Sequence, residues 1–190
     1  MGDEKITKYL NLLNKYGRLD IESAPLDKPN LLDIATGHGK YAIAAALAGY
    51  KVTAFDARTD RIPSYYKGIQ WKIADLKEFC YRGYEVVNCL GIFYHLTLEG
   101  QLKLLSDLRD TPLIIMDTHL STYALRVMPG GYEGSDFEEV LTDPRSSFDD
   151  PVAFWHNRKS FLKILKDSGY KIIEEVEQIP NRSFYVLRRL

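Results

Sequence analysis

The sequence predicts an α/β fold: a mostly parallel, seven-stranded sheet with helices on both faces and an antiparallel last strand. Three observations predict it. Apolar runs alternate with helical stretches along most of the chain. Several of these runs, such as Leu113-Ile114-Ile115-Met116, are continuous, which is typical of strands buried on both faces. The last two runs are joined only by Pro180-Asn181-Arg182, and so short a link permits a hairpin but no parallel crossover.

Each element has its own signal. Apolar residues at helical spacing predict a first helix over 4–16, which Gly17 ends. Thr97 is the expected N-cap of a helix that begins at Leu98. Apolar runs predict strands at 30–35, 52–56, 69–75, 85–90, 113–118, 171–179 and 183–190. The further helices are predicted at 40–48, 98–108 and 158–168.

A chain of 190 residues has the size of one domain. We expect a single domain over 1–190, in which 1–29 form an N-terminal helix and a linker. The stretch 120–156 interrupts the alternation before the last helix, and it is long for a connection without structure. It is rich in aromatic residues, unlike a disordered linker. We therefore expect an inserted lid over 120–156, either a packed flap or a flap that also lines a substrate pocket.

The composition excludes several classes of function. The 25 basic and 26 acidic residues give a net charge of −1, which argues against binding to nucleic acids or membrane surfaces. No apolar run approaches the roughly 20 residues of a membrane-spanning helix, and Met1-Gly2-Asp3-Glu4-Lys5 does not resemble a signal peptide. Two cysteines, Cys80 and Cys89, fit a reducing compartment. We expect a cytoplasmic, soluble protein that acts on a small molecule and whose oligomeric state is open.

The most informative segment runs from Leu31 to Ala42 and reads LLDIATGHGKYA. A hydrophobic strand carries an acid, Asp33, turns through Gly37 and Gly39, and enters a helix. Glycines let a backbone pass close to a ligand. The unpaired N–H groups at the start of the following helix can bind that ligand. The position of the turn, directly after the first buried strand, predicts a nucleotide-type ligand.

Acids at the ends of successive strands distinguish between two such ligands. Asp33 would repel the pyrophosphate of a dinucleotide, but it favours the ammonium group of S-adenosylmethionine. Asp56 ends the second strand, 19 residues after Gly37, where it can bind ribose hydroxyls. Asp75 ends the third strand, where it can accept a hydrogen bond from an adenine amino group. Because the carboxyl ends of parallel strands meet at one edge, we expect the three acids to line one site.

The segment resembles motif I of class I S-adenosylmethionine-dependent methyltransferases, a Rossmann-like superfamily. Asp56 matches the ribose-binding acid of that family, Asp75-Leu76 its adenine-contacting pair and Gly91 its fourth-strand motif. The resemblance covers roughly 28–119 and 155–190, and it departs at Ala35, where the family usually has glycine. It implies S-adenosyl-L-methionine as the cofactor. The cofactor-binding residues that it implies are Asp33, Thr36, Gly37, His38, Gly39, Asp56, Ala57, Arg58, Asp75, Leu76, Leu90 and Gly91.

Methyl transfer to a hydroxyl group also needs a base. His95 and His119 each follow a strand end on the expected ligand edge, and histidine suits a base at neutral pH. His119 is favoured because it directly precedes the lid. A hydrogen-bonded structural histidine is the alternative at both positions. The aromatic residues that could line a substrate pocket are Tyr41, Tyr94, Tyr123, Tyr132 and Trp155.

The leading interpretation is a methyltransferase that acts on an oxygen or nitrogen atom of a small molecule. One alternative is another reaction of S-adenosylmethionine: cleavage, transfer from a modified sulfonium, or tRNA base modification, since 91–95 resembles carboxymethylating tRNA wobble-uridine enzymes. Asp33 disfavours a NAD-dependent oxidoreductase, and a binding module without catalysis is the remaining class. Asp117 lies only two residues from His119 and Asp149-Asp150 is an isolated pair, so no metal site is predicted.

Overall fold

The structure is a computed structural model that describes residues 2–17, 28–63, 66–143 and 146–190. The predicted linker within 1–29 lies mostly outside these ranges. The chain divides into two compact units, Met1–Leu90 with Asp110–Ile115, and Gly91–Arg109 with Met116–Leu190. The single domain over 1–190 therefore stays a prediction. None of the helices in the described ranges is long and apolar enough to cross a membrane.

The first unit is built on parallel strands. In chain order it contains α1 (Gly2–Tyr16), β1 (Asn30–Ile34), α2 (Lys40–Leu47), β2 (Lys51–Asp56), β3 (Ile69–Ile73) and β4 (Val86–Leu90). β1 lies between β2 and β4 and runs parallel to both, with Leu31 opposite Val52 and Val86. β3 continues the sheet beyond β2, also in parallel. The carboxyl ends of these strands therefore meet at one edge of the sheet.

β1 is buried on both faces, as its continuous apolar run predicts. Leu31 and Leu32 are 0% exposed, and each such side chain stabilises the fold by about 1.5–3 kcal/mol. α1 joins this core through Tyr9, whose ring meets Tyr41 of α2 edge-on at a centroid distance of 5.1 Å. The Tyr9 hydroxyl accepts a hydrogen bond of 2.8 Å from Nδ2 of Asn88 in β4. The first helix is thus anchored to the strands that carry the candidate site.

The second unit contains both helices and strands. In chain order these are α3 (Leu98–Asp107), β5 (Leu113–His119), which begins in the first unit, β6 (Arg126–Met128), β7 (Tyr132–Glu138), β8 (Val152–His156), α4 (Arg158–Asp167), β9 (Tyr170–Ile179) and β10 (Arg182–Arg189). The main sheet has seven strands in the order β3-β2-β1-β4-β5-β10-β9. β9 and β10 pair in antiparallel. The predicted fold class and its closing hairpin are confirmed.

A separate three-stranded antiparallel sheet occupies much of the stretch predicted as a lid. Its order is β6-β7-β8, and the turn between β6 and β7 passes through Gly130 and Gly131, whose φ angles are +84° and +73°. The sequence does not predict these strands, because β6 has three residues and β7 carries Gly134 among charged residues. Phe154 and His156 of β8 are buried. The described residues of the stretch 120–156 therefore include three strands of their own.

Candidate functional site

The candidate site in the first unit begins at the turn between β1 and α2. Ala35, Gly37 and Gly39 all have positive φ angles, of 48°, 55° and 71°. Such angles are unfavourable for residues with a side chain, which is why glycine is preferred there. The Thr36 hydroxyl donates a hydrogen bond to the Asp33 carboxylate of β1. The backbone N–H of Gly39 donates to the Thr36 carbonyl at 3.0 Å, so the turn is compact and internally bonded.

Asp56 at the end of β2 is tied directly to this turn. Its Oδ2 accepts a hydrogen bond from the backbone N–H of Gly37 at 2.8 Å, and its Oδ1 accepts one from the N–H of Arg58 at 2.9 Å. Asp56 is only 7% exposed. Each carboxylate oxygen has a second lone pair, so Asp56 can accept two further hydrogen bonds. A ligand with two adjacent hydroxyl groups matches this geometry.

Gly37 and Gly39 serve different purposes in the turn. Among the described residues, a Cβ added at Gly37 would meet nothing within 4 Å. A Cβ at Gly39 would lie 2.5 Å from Cη2 of Trp71 and 3.1 Å from Cγ of Pro63. Packing within the protein therefore requires Gly39 to lack a side chain. Gly37 instead leaves an open stretch of backbone that a ligand can approach.

Asp33 is a buried acid, with 2% of its surface exposed. The pKa of its carboxyl is raised from the ordinary 3.8 to about 6, mainly by burial and also by the charge of Asp56. Hydrogen bonds from Thr36 and Asn88 act in the opposite direction. A cation bound beside Asp33 would favour the ionised carboxylate, so this position suits a positively charged ligand group.

The other predicted cofactor residues of the first unit lie around these acids. Oδ1 of Asp75 accepts a hydrogen bond of 2.7 Å from the N–H of Lys77, which fixes the carboxylate just after β3. The Leu76 carbonyl accepts one of 2.7 Å from the Tyr81 hydroxyl. His38 is exposed at the tip of the glycine turn. Ala57 and Arg58 directly follow β2, and Leu90 ends β4.

In the second unit, Arg182 forms a two-point ion pair with the buried Asp117. Nε and Nη2 of Arg182 lie 2.8 and 2.6 Å from the two carboxylate oxygens, and Nε2 of Gln178 donates to Oδ1 at 2.8 Å. Nη1 of Arg182 lies 3.1 Å from Nε2 of His119. A guanidinium group can only donate, so Nε2 of His119 is the acceptor. While this bond is in place, Nε2 cannot take a proton from a substrate.

Aromatic rings pack against His119, and the Arg182 guanidinium lies over the ring of Tyr94 at 5.3 Å. The Trp155 ring lies between Phe137, at 4.4 Å and 13°, and His119, at 5.2 Å and 11°. Tyr94 meets His119 and Trp155 edge-on at 4.9 and 5.7 Å, and burial raises the pKa of its hydroxyl. A groove of about 260 Å³ is lined by His119, Trp155 and Asn181, among others. The structure thus brings together Tyr94 and Trp155, two of the predicted substrate residues.

Gly91, which directly follows β4, also belongs to this part of the second unit. Its N–H donates to the Asp117 carbonyl at 3.0 Å, and its φ angle is +84°. A Cβ at Gly91 would lie 3.6 Å from Nη2 of Arg182 and 3.8 Å from the Tyr94 hydroxyl. Gly91 therefore lies next to the ion pair and the aromatic cluster.

Within the second unit, the structure does not bring Tyr132 or Tyr123 to this cluster. Tyr132 and Trp155 lie on opposite faces of the three-stranded sheet, as the pairing of Ser135 with Trp155 shows. The Tyr132 hydroxyl bonds Asp167 of α4 at 3.0 Å. Tyr123 is 69% exposed. Tyr41 belongs to the first unit, where it is buried against Tyr9.

A buried network in the second unit involves His156. Its Nδ1 lies 2.7 Å from the Ser160 hydroxyl, and its Nε2 lies 2.7 Å from Oε1 of Gln101. Gln101 in turn donates to the carbonyls of Phe93, Leu96 and Phe154. Burial lowers the pKa of His156 to about 4. A neutral histidine with both nitrogens bonded to the protein has a structural role.

Local sequence patterns do not predict two polar pairs that the structure shows. Glu139 meets His95, with Oε1 2.7 Å from Nδ1, although 44 residues separate them. Arg182 is 65 residues from Asp117. The only local signal is the presence of Asp117 inside the apolar run of β5. Among the described residues, no group of three or more His, Cys, Asp or Glu side chains is placed to hold a metal ion.

The chain has the fold of class I S-adenosylmethionine-dependent methyltransferases. The N-terminal domain of EvdMO1 with SAH bound is similar with a TM-score of 0.74 and 16% identity, covering 97% of this chain and 80% of that one. Magnesium protoporphyrin IX methyltransferase from Synechocystis PCC 6803, with bound SAH, has a TM-score of 0.68 at 18% identity, covering 98% and 83%. A 1,6-didemethyltoxoflavin-N1-methyltransferase from Burkholderia thailandensis has 0.67 at 12%, covering 95% and 75%. No protein-family model and no curated protein sequence matches this chain.

Proposed function

We propose that this protein is an S-adenosylmethionine-dependent methyltransferase. One observation carries the proposal: the Asp56 carboxylate bonds the N–H of Gly37 at the carboxyl ends of parallel strands. Open α/β sheets bind nucleotide-type ligands at this edge. The similar structures support the proposal, because they include methyltransferases with bound SAH or S-adenosylmethionine.

Each acid has a role in holding this cofactor. Asp56 would accept hydrogen bonds from the ribose hydroxyls and Asp75 from the adenine amino group, while Asp33 would attract the ammonium group. Bound S-adenosylmethionine supplies a methyl group that its sulfonium already activates. Gly37 leaves room for the cofactor to approach the backbone closely. The other residues that we propose to contact the cofactor are Thr36, His38, Gly39, Ala57, Arg58, Leu76, Leu90 and Gly91.

Asp33 also argues against a dinucleotide cofactor. A pyrophosphate bound at the glycine turn would place negative charge near both Asp33 and Asp56. Asp33 would then have to stay protonated, although its pKa of about 6 leaves it ionised at neutral pH. An ammonium group has the opposite effect, because it stabilises the ionised form. The electrostatics of the turn therefore favour S-adenosylmethionine over NAD.

We propose that the methyl acceptor is a small molecule, methylated on oxygen or nitrogen and bound by Tyr94 and Trp155. The groove beside Trp155 has about 260 Å³, slightly less than the roughly 300–1,000 Å³ of sites for drug-sized ligands. The net charge of −1 supports a small acceptor over a nucleic acid. The presence of only two cysteines supports a reducing compartment such as the cytoplasm.

For a hydroxyl acceptor, we propose His95 rather than His119 as the base. Arg182 already donates to Nε2 of His119. In the part of the chain that the structure describes, Nε2 of His95 makes no hydrogen bond, because the hydrogen bond of this ring is made by Nδ1. A base needs an available lone pair within reach of the proton that it removes. His119 stays the alternative if Arg182 moves when substrate binds.

Calorimetric titration with SAH and with NAD tests the cofactor. We expect SAH to bind and NAD not to bind; a protein that prefers NAD would overturn the proposal. The reaction is tested with methyl-labelled S-adenosylmethionine and a cell extract from which proteins and nucleic acids have been removed. The label should appear in a small molecule. Label that enters only added tRNA, or only cleavage products of S-adenosylmethionine, would favour one of the alternative reactions.

A further inference from the structure

We infer that Glu139 is a positioning residue that sets the proton of His95 for its role as general base. This inference rests on the proposed methyl transfer and adds a residue to its machinery. Glu139 follows β7, in the stretch that the sequence predicts as a lid. This role of Glu139 would make the stretch 120–156 part of the reaction centre.

The pair has the geometry of a carboxylate that orients an imidazole. Oε1 of Glu139 lies 2.7 Å from Nδ1 of His95. The Glu139 side chain is 1% exposed, and the His95 side chain is 13% exposed. A carboxylate this deeply buried needs hydrogen-bond donors for its charge. The imidazole supplies one of them and keeps part of its own surface accessible.

Two serines hold the other carboxylate oxygen. Oε2 of Glu139 accepts hydrogen bonds from the Ser146 hydroxyl and from the N–H of Ser147, the latter at 2.9 Å. The backbone of Glu139 is fixed as well, because its N–H donates to the Pro151 carbonyl at 2.9 Å. The carboxylate therefore cannot rotate without breaking these bonds. Glu139 is held in one orientation toward His95.

This orientation decides which nitrogen of His95 carries the proton. An ionised carboxylate only accepts, so Nδ1 must donate. In the neutral ring the lone pair is then on Nε2, the nitrogen without a partner among the described residues. The second nitrogen of a catalytic histidine is commonly fixed in this way. Nε2 of His119 also holds a lone pair, but that lone pair already accepts a hydrogen bond from Arg182.

The chemical step follows from this tautomer. The acceptor hydroxyl gives its proton to Nε2 of His95 while its oxygen forms a bond to the methyl carbon. The carbon–sulfur bond breaks, and its electron pair stays on sulfur. The positive charge that His95 gains is stabilised by the Glu139 carboxylate 2.7 Å away. His95 later returns the proton to water, so protons and electrons balance.

Glu139→Gln tests the inference with little change of shape. Ser147 N–H and the Ser146 hydroxyl both donate, so the amide oxygen should turn toward them and the NH₂ group toward His95. Nδ1 would then have to accept, which moves the proton to Nε2 and blocks the base. We expect methyl transfer to a hydroxylated small molecule from the extract to fall about 10²–10⁴-fold. The affinity for SAH should stay within about twofold.

Nitrogen NMR of the ¹⁵N-histidine-labelled protein gives a readout that needs no acceptor. The neutral His95 ring should be protonated on Nδ1 in the wild type and on Nε2 in Glu139→Gln. Glu138→Gln, an exposed neighbour on β7, is the matched control and should change neither property. The double variant His95→Asn with Glu139→Gln should be no slower than the slower single variant.

The outcomes separate this inference from the proposed function. Equal transfer rates in the wild type and Glu139→Gln, or the same tautomer in both, would overturn the role of Glu139 and leave the methyltransferase proposal standing. A wild-type protein that binds no SAH would instead refute the proposed function. The NMR result would still decide whether Glu139 sets the tautomer of His95.

Discussion

The backbone N–H of Gly37 donates a hydrogen bond of 2.8 Å to Oδ2 of Asp56. The residues are 19 positions apart, and the bond joins the turn after β1 to the end of β2. The acid that we propose to bind the ribose therefore also holds the glycine turn in place. Changes at either residue should affect cofactor binding.

Asp56→Ala should weaken S-adenosylmethionine binding by about 2–3 kcal/mol, since it removes a charged acceptor of hydrogen bonds. Calorimetry measures the loss. Asp60→Ala is the matched control, because Asp60 is exposed in the short 3₁₀ turn Thr59–Arg61 just after β2. The control should bind normally. Unchanged affinity in a folded Asp56→Ala protein would remove Asp56 from the site.

The two glycines of the turn should respond differently to an added methyl group. Gly37→Ala should keep the protein folded at a cost of about 1–2 kcal/mol for its positive φ, yet bind the cofactor poorly, because the Cβ enters the open approach to the backbone. Gly37→Val should be worse. Gly39→Ala forces a Cβ to within 2.5 Å of the Trp71 ring, which should cost about 1–3 kcal/mol more. Thermal unfolding and calorimetry separate the two effects.

The stability of the cofactor-free protein should depend on the ionisation of Asp33. Its pKa is about 6 in the folded protein, above its ordinary 3.8. The unfolded chain therefore binds fewer protons, and the contribution present below pH 4 is lost as the pH rises through 6. The loss should be about 3 kcal/mol. Asp33→Asn should remove this contribution, so that its free energy of unfolding in urea rises between pH 4 and 7 relative to that of the wild type.

His156 should act in the opposite direction over the same range. Its pKa is lowered to about 4 from 6.5, so its contribution is present above pH 6.5 and lost as the pH falls through 4. This loss should also be about 3 kcal/mol. Because the two contributions oppose each other, these two groups together should make the stability of the wild type depend little on pH. The Asp33→Asn protein should be less stable in acid than at neutral pH, and the His156→Gln protein should be more stable in acid than at neutral pH. If the stability of both variants changed with pH in the same way, these roles of Asp33 and His156 would be wrong.

Ala35→Gly should stabilise the protein by about 0.5 kcal/mol. Ala35 has a φ of +48°, which costs a residue with a side chain about 1–2 kcal/mol. Glycine removes that strain but adds about 0.4–1 kcal/mol of chain entropy to the unfolded state. Ala46→Gly within α2 is the control and should destabilise by about 1 kcal/mol. Destabilisation by both changes in thermal unfolding would show that Ala35 is not strained.

Much of the fold follows from local patterns. The main strands and helices, the Thr97 N-cap and the closing hairpin are predicted within a few residues of their observed bounds. The short strands of the three-stranded sheet are not, because β6 has three residues and β7 mixes glycine with charged residues. Periodicity needs several residues of regular alternation before it can indicate a strand.

The sequence by itself determined the fold class, the glycine turn and the acids after the strands, because each of these depends on residue types at short, regular spacings. Only the tertiary structure decided that Glu139 orients His95 and that Arg182 occupies Nε2 of His119. It also placed Tyr132 on the face of its sheet opposite Trp155. These contacts join side chains that lie far apart along the chain, and chain folding alone brings such residues together.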